Sequence, residues 1–373
     1  MDPDKVFCHN PNCHARGKLG LKNIGVHSIK QRRYICHICG KTFTDTKGSV
    51  FYRLRHSAEF VTQIITLLAY GCPIIAIVIA FGLDERTVAD WGSCAGIHCQ
   101  KVHQHLVQQP RDLGQVQADE IRVKHQGGIA WLAMAIAVST RLWLGGVVSA
   151  RRDTDLIKSL IEQVRNCALY RPLLFCVDGL VTYVSAIQKV LAIPVLNGKR
   201  GRPCLKEWEN LCIVRVIKKA SGRRVTGITQ RIACGTWKQA CLLLKQTQNT
   251  LNAHTAYIER INGTFRSRIT ALVRHLSTLR NGMYLVGTVY NFCTPHKSLR
   301  KVLYLPANSH RWIHITPAMA IGITDHVLFF RYSAERDWTV RELLSYQVPL
   351  PPWKLPRGRP SKRLKELINQ WNL

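Results

Sequence analysis

The sequence predicts an α+β protein of several domains, and three features of its 373 residues indicate this class. Paired cysteines and turn-forming residues dominate the N-terminus, strand-like alternation begins at Gly114, and helical spacing returns late in the chain. Hydrophobic residues make up 46% of the chain, which argues against global disorder and allows a sizeable core. We expect four regions, at residues 1–50, 55–110, 114–300 and 301–373.

The chain is strongly cationic. Lysine and arginine number 53 against 22 acidic residues, which gives a formal net charge of +31. Such an excess is self-repulsive unless a polyanion neutralises it. Nucleic acid is therefore the first partner expected, ahead of ribosome-like or membrane-surface binding.

Four of the 14 cysteines form two tight pairs that predict a zinc ribbon over residues 1–50. The first residues lack the apolar stretch of a secretory leader, so we expect a reducing, cytoplasmic location in which paired cysteines bind metal. The pairs are separated by 22 residues, a spacing suited to a structural Zn²⁺ with four sulfur ligands. Unligated buried thiols are the alternative. The expected ligands are Cys8, Cys13, Cys36 and Cys39.

Residues 55–110 are interpreted as a helix-turn-helix DNA-binding domain, with an ordinary helical connector as the alternative. The apolar stretch over residues 64–83 is nearly long enough to span a bilayer. Pro73 interrupts it, however, and favours two separate helices, so no membrane span is expected. The expected helices cover residues 57–70, 73–81 and 85–106.

The N-terminal end of the third of these helices carries the expected DNA contacts. Asp84 is a suitable N-cap, which leaves Arg86 and Thr87 at the exposed N-terminal end of a recognition helix. The residues expected to pack between the helices are Ala76, Ala80, Leu83, Val88 and Trp91.

The third region predicts a mixed sheet. Strands are expected over residues 115–122, 131–138, 142–150 and 173–177, with a helix over residues 153–167 before the fourth strand. This element order is that of the ribonuclease-H-like, or retroviral-integrase-like, fold. Later helices are expected at residues 183–191, 257–276 and 279–293, whereas about 194–250 is a basic insertion without clear periodicity.

Three carboxylates fall where such a fold could bring them together. Asp119 is on the first strand, Asp178 follows the fourth, and Glu259 is on a late helix. Converging carboxylates can hold two divalent ions about 4 Å apart, and oxygen ligands favour Mg²⁺ or Mn²⁺. A turn aspartate and a solvated glutamate are the alternatives for Asp178 and Glu259. Neighbouring strand residues face opposite ways, and the pattern does not choose between Asp119 and Glu120.

Several arginines are candidate DNA contacts. Arg266 lies two helical turns after Glu259 and projects from the same face, where a guanidinium could bind a phosphate beside the metals. The tetrapeptide Arg-Gly-Arg-Pro occurs twice and is the core of the AT-hook, which enters A·T minor grooves. Generic phosphate-binding loops are the alternative. The arginines of the two copies are Arg200, Arg202, Arg357 and Arg359.

Four short motifs stand out: Gln117–Glu120, Cys176–Leu180, Ile258–Arg266 and Tyr290–Leu299. Together they resemble the DDE transposases of bacterial insertion sequences, closest to the IS-one-like type, over nearly the whole chain. The resemblance implies Asp119, Asp178 and Glu259 as the metal-binding triad, Asp119 rather than Glu120 among them, and Arg266 as the basic residue that follows. Residues 327–337 depart from the family pattern as extra sequence.

The resemblance implies an enzyme that binds the terminal inverted repeats of its element. It would cut phosphodiester bonds with metal-activated water and join the freed 3′-hydroxyls to target DNA without a covalent enzyme intermediate. Two ends must be handled together, so we expect a homo-multimer on double-stranded DNA in the bacterial nucleoid. Two other functions stay open: a DNA-binding regulator with an inactive core, and a structure-specific nuclease of the same fold.

Overall fold

The computed structural model describes residues 1–125, 128–195, 204–221, 224–269, 276–304, 310–324 and 339–351. The chain divides into two compact units, one made of Met1–Arg53 with the stretch from Gln347 onwards, the other of Leu54–Tyr346. The first contains a three-stranded sheet, and the second a mixed six-stranded sheet with helices. The α+β class predicted from the sequence is confirmed.

The helices and strands of the described residues follow in chain order. The helices are α1 (Ala58–Ala69), α2 (Ile74–Phe81), α3 (Glu85–Leu106), α4 (Thr154–Cys167), α5 (Val181–Leu191), α6 (Trp237–Gln248), α7 (Ala256–Ile269), α8 (Leu276–Cys293), α9 (Pro317–Ala320) and α10 (Val340–Ser345). The strands are β1 (Ile24–Ser28), β2 (Arg33–Cys36), β3 (Thr42–Thr44), β4 (Gln115–His125), β5 (Gly128–Ala137), β6 (Trp143–Ser149), β7 (Leu173–Val177), β8 (Ile193–Val195), β9 (Cys204–Lys206), β10 (Leu211–Ser221), β11 (Arg224–Cys234), β12 (Lys301–Tyr304) and β13 (His310–Ile313).

The small sheet of the first unit presents the cysteines. Its strands pair antiparallel in the order β1-β2-β3. Cys36 ends β2, and Gly40, with φ +66°, allows the turn that leads from the second cysteine pair into β3. Tyr34 and Phe43 pack beside the cysteines in a small core. A core of this size makes metal ligation the expected source of stability.

The three helices α1, α2 and α3 match the sequence prediction to within one residue at each end. Two of the residues expected between them are nevertheless exposed, because Ala76 and Ala80 face solvent and Ile77 is the buried residue of α2. Val88 and Trp91 are buried as expected. The prediction failed because α2 is apolar on every side. Its sequence has no polar face, so it does not indicate which face is buried.

The apolar stretch at residues 64–83 is divided between α1 and α2. Gly71 lies between the two helices, and its backbone φ of +90° is incompatible with a continuous helix. Among the described residues, no helix combines the length and the apolar character needed to cross a membrane.

The six-stranded sheet has the order β11-β10-β7-β4-β5-β6. Strands β4, β5 and β6 pair antiparallel in chain order. Strand β7 then pairs parallel with β4, and β10 pairs parallel with β7. Strand β11 closes the edge as an antiparallel partner of β10. The carboxyl end of β7 therefore lies beside the middle of β4, near the centre of the sheet.

Each face of this sheet is covered by different helices. One face packs against α4 and α5 through residues such as Val116 and Ala118. The other packs against α6 through Leu174, Cys176 and Val214. Because side chains alternate along a strand, Gln115, Gln117 and Asp119 belong to the α6 side.

Strands β10 and β11 lie in the segment for which the sequence showed no clear periodicity. Strand β10 is flanked on both edges, and its residues from Leu211 to Val214 are buried on both faces. A strand buried on both faces loses the alternation by which strands are recognised. Basic residues then fill its second half, which made the whole segment look like a cationic insertion.

Candidate active site

Asp119 and Asp178 lie next to each other because their strands are parallel and in register. Ala118 on β4 pairs with Val177 on β7, so the aspartates occupy the next position on each chain. Carboxylate oxygens of Asp119, Glu120 and Asp178 all lie within 4.8 Å of one another. Three oxygen donors this close could hold a divalent ion.

Glu259 reaches the same place from α7. It lines a cavity of about 320 Å³ together with Asp119, Asp178, Lys218 and Thr255. The cavity thus unites carboxylates from two strands and one helix that are far apart in the sequence. Its lining also contains Gly179, Val216 and Ile217.

Helix α7 is fastened to β4 by two side chains. The Asn262 amide donates a hydrogen bond to Oδ2 of Asp119 at 2.8 Å. The Gln117 side chain accepts from the backbone N–H groups of Tyr257 and Ile258 at the start of α7. Sequence reasoning missed both roles. The available signal was that each residue lies in a motif that also carries a candidate acid, Asp119 for Gln117 and Glu259 for Asn262.

The two acids Asp119 and Glu259 differ in their electrostatics. Burial raises the pKa of Asp119 to about 6, and the negative charges of Glu120, Asp178 and Glu259 act in the same direction. Partial burial acts to raise the pKa of Glu259 as well, but hydrogen bonds from Lys218 and Thr255 lower it overall. A cation between these acids would favour the ionised form of Asp119.

Glu120 is a further acid that sequence reasoning had set aside. It leaves the opposite face of β4, yet its carboxylate comes close to that of Asp178, which directly follows the neighbouring strand β7. Its Oε2 accepts from Arg152 at 3.0 Å, and Arg152 is 3.8 Å from Asp178. Burial raises the pKa of Glu120 despite this guanidinium. Glu120 is therefore a possible additional oxygen ligand.

The arginines predicted to contact DNA are not among the described residues that line the cavity, unlike the three acids. Arg266 is an exposed residue of α7, seven positions beyond Glu259, and the cation that lines the cavity is Lys218 instead. Arg86 is exposed and Thr87 half-buried in the first turn of α3, where Asp84 Oδ1 accepts from both backbone N–H groups. Outside the described residues lie Arg200, Arg202, Arg357, Arg359 and the apparent extra sequence at 327–337.

The predicted zinc ligands form one cluster. The Sγ atoms of Cys8, Cys13, Cys36 and Cys39 all lie within 4.8 Å of one another. The Asn23 amide donates to Cys36 Sγ at 3.2 Å, and the backbone N–H of Asn10 donates to Cys8 Sγ at 3.5 Å. Four sulfur atoms with N–H donors around them suit a tetrahedral Zn²⁺, which binds thiolates.

His9 lies close to this cluster but has a packing role. Its ring centroid is 4.7 Å from that of Phe7 and 5.2 Å from that of Phe43. Burial lowers the pKa of His9 to about 4, so the ring is neutral near pH 7. The four cysteines by themselves supply the four ligands of a tetrahedral zinc site.

Chemically, the cavity combines oxygen ligands for divalent ions with a lysine, in a chain whose net charge of +31 favours a polyanionic partner. The chain matches no protein-family model and no curated protein.

Proposed function

We propose that this chain is a DNA transposase of the DDE type, acting on the ends of a bacterial insertion sequence. The observation that carries the proposal is the cavity that Asp119, Asp178 and Glu259 line together. Carboxylates far apart in a sequence with only 22 acidic residues converge beside a cation in a chain of net charge +31. Metal-dependent chemistry on a polyanion is the activity that such a site suits best.

The arrangement of the sheet supports the same proposal. A ribonuclease-H-like sheet has three antiparallel strands in chain order, followed by two parallel strands that add beside the first of them. Asp119 lies on β4 near the centre of the sheet, and Asp178 directly follows its parallel neighbour β7, a placement that supports our proposal that both acids bind metal. We take residues 114–300 as the catalytic core on this basis.

Asp119, Asp178 and Glu259 would hold Mg²⁺ or Mn²⁺. Bound by these acids, such ions would supply activation of a water or a DNA 3′-hydroxyl and stabilisation of the leaving oxygen of the scissile phosphate. Asn262 orients Asp119 through the 2.8 Å hydrogen bond, and Lys218 offers an ammonium group to the phosphate. Arg266 contacts the DNA backbone about two helical turns farther along α7. No side chain becomes covalently attached to DNA.

The rest of the chain recognises the DNA ends. Helices α1–α3 serve as a helix-turn-helix in which Arg86 and Thr87 contact the DNA, and the zinc module adds a second binding surface. Two ends must be cut and joined together, so the enzyme works as a homo-multimer on DNA in the nucleoid.

The test is nicking of DNA that carries the inverted repeats flanking the coding sequence. With Mg²⁺, we expect the wild type to nick at the repeat ends and Asp178→Asn to be inactive, because asparagine keeps the hydrogen bond from Leu180 N–H (2.9 Å) but loses the metal-binding charge. Asp153→Asn, at the exposed N-cap of α4, is the matched control and should remain active.

Other outcomes identify the alternatives. Equal nicking by the wild type and Asp178→Asn contradicts the assignment of the site. Binding of the repeats without nicking by the wild type favours a regulator with an inactive core. Cutting of branched DNA without any need for the repeats favours a structure-specific nuclease.

A further inference from the structure

We propose that Gln117 is a positioning residue that fastens the start of α7 to β4 and so sets the placement of Glu259 relative to Asp119. This inference deepens the proposed function and rests on it where catalysis is concerned. Gln117 lies two positions before Asp119 on the same strand face and is completely buried. Its side chain bonds to the backbone around the start of α7, and it acts through that helix.

Three hydrogen bonds join the Gln117 side chain to the backbone around the start of α7. Its amide donates to the carbonyl oxygen of His254 at 2.6 Å. Its oxygen accepts from the backbone N–H of Tyr257 at 3.0 Å and from that of Ile258 at 3.0 Å. The first N–H groups of a helix have no partner within the helix, and here a neighbouring strand supplies their acceptor.

This arrangement changes the role of Thr255. A threonine directly before a helix normally accepts a hydrogen bond from the second or third N–H of that helix. In α7 those N–H groups bond to Gln117, and the Thr255 hydroxyl donates to Glu259 Oε1 instead. The N–H of Ala256 bonds to His254 Nδ1 at 3.2 Å. Gln117 therefore leaves Thr255 available to orient the glutamate.

A second contact completes the link one turn farther along. Asn262, on the same helix as Glu259, donates to Asp119 on the same strand as Gln117. Two side-chain contacts between one helix and one strand fix both the height and the rotation of α7 over β4. Metal ligands have to be held within about 0.5 Å of their working positions, so loss of one contact should weaken ion binding.

Gln115 provides a matched control. It is also a fully buried glutamine on the same face of β4, two positions earlier. Its oxygen accepts from Thr247 on α6 at 2.6 Å, and its amide donates to Cys176 Sγ at 3.3 Å. Loss of either glutamine leaves buried polar groups without partners, so both should reduce stability. The difference is that the Gln117 contacts lead to Glu259.

The experiment measures Mn²⁺ affinity by titration calorimetry on the zinc-loaded full chain. We expect Gln117→Met to weaken Mn²⁺ binding by about 10- to 100-fold, as for other residues that orient metal ligands, whereas Gln115→Met should bind like the wild type. In nicking assays, Gln117→Met should lower kcat and leave the KM for DNA unchanged. Amide exchange at Tyr257 and Ile258 should accelerate in Gln117→Met only.

A second variant covers failure to fold. Gln117→Glu keeps an acceptor for the two N–H groups, and a negative charge is favourable at a helix N-terminus. Its Mn²⁺ affinity should be nearer to that of the wild type than to that of Gln117→Met. Equal affinities for the wild type, Gln117→Met and Gln117→Glu overturn the inference.

The two proposals fail in different ways. If the wild type nicks DNA and the Gln117 and Gln115 variants lose Mn²⁺ affinity equally, the positioning role is wrong and the proposed function stands. If Gln117→Met selectively loses Mn²⁺ affinity but the wild type does not cleave DNA, the positioning role stands and the proposed function is wrong. A wild type that binds no Mn²⁺ contradicts both.

Discussion

Lys218 and Glu259 form an ion pair inside the candidate active site. Their side chains are 39% and 45% exposed, so the pair is screened by water and weak. A divalent ion at Glu259 has to compete with this ammonium group, whereas Asp119, with its pKa raised to about 6 by burial first and neighbouring charges next, gains from any cation placed beside it. The competition between Lys218 and a divalent ion for Glu259 should therefore be measurable.

We expect Lys218→Met to increase Mn²⁺ affinity by about twofold, because an ion pair this exposed contributes on the order of 0.5 kcal/mol. The same variant should weaken DNA binding, since the phosphate loses a cation. Lys219→Met, at the next and also exposed position of β10, is the control and should leave Mn²⁺ affinity unchanged. Titration calorimetry checks the first effect; a fall in Mn²⁺ affinity for Lys218→Met would count against competition at Glu259.

The sequence could identify the three candidate acids because carboxylates are scarce in so basic a chain. It could not identify Gln117 or Asn262, since their importance arises only when α7 lies against β4. The alternation of strand faces did not choose between Asp119 and Glu120, and the family resemblance favoured Asp119 alone. Alternation fixes the direction in which a side chain leaves the backbone, but a glutamate in the middle of β4 can still bring its carboxylate near Asp178.

At the level of elements, α3 and α8 pack closely along each other. Gly96 of α3 lies so near the backbone of Asn281 that a Cβ atom there would collide with its carbonyl group. Asn281 also donates to Ser93 of α3 at 2.8 Å. At Gly263 of α7, by contrast, a Cβ atom would have no neighbouring atom within 4 Å.

The same substitution should therefore have opposite effects in the two helices. We expect Gly96→Ala to destabilise the second unit by about 1–3 kcal/mol, because neighbouring backbone has to move. Gly263→Ala should stabilise it by about 0.5–1 kcal/mol, because alanine loses less conformational freedom in a helix. Urea unfolding followed by circular dichroism measures both. A neutral or stabilising Gly96→Ala would contradict the close packing of α3 and α8.

Elements with clear periodicity were predicted well from the sequence. Helix α4 was expected to cover residues 153–167 and covers Thr154–Cys167, with Asp153 as its N-cap. Strand β7 was predicted to the residue. Strands β10 and β11 were missed because burial on both faces removes alternation from the first half of β10, and the basic second half is typical of a loop.

At the scale of the whole molecule, each unit contains its own candidate metal site. The cysteine cluster lies in the first unit, and the carboxylate cavity in the second. Their ligands differ in kind, since thiolates favour Zn²⁺ and carboxylates favour Mg²⁺ or Mn²⁺. The two sites should therefore respond independently to removal of their ions.

We expect the purified chain to bind one Zn²⁺ and to lose it in Cys36→Ser, because three sulfur ligands no longer complete the tetrahedral site. The first unit should then melt at a lower temperature. Mn²⁺ affinity should be unchanged, since its ligands belong to the second unit. Metal analysis and calorimetry check this. Cys94→Ser, at an exposed cysteine, is the control, and zinc retained at full stoichiometry by Cys36→Ser would refute the assigned ligands.

The most direct measurement of the central claim exchanges an oxygen ligand for sulfur. Asp178→Cys places a thiolate where Asp178 faces the cavity, and thiolates prefer softer ions to Mg²⁺. Nicking of inverted-repeat DNA should be lost with Mg²⁺ and recovered with Mn²⁺, while the wild type is active with both. Nicking by Asp178→Cys that is the same with either ion would show that Asp178 does not bind the catalytic metal.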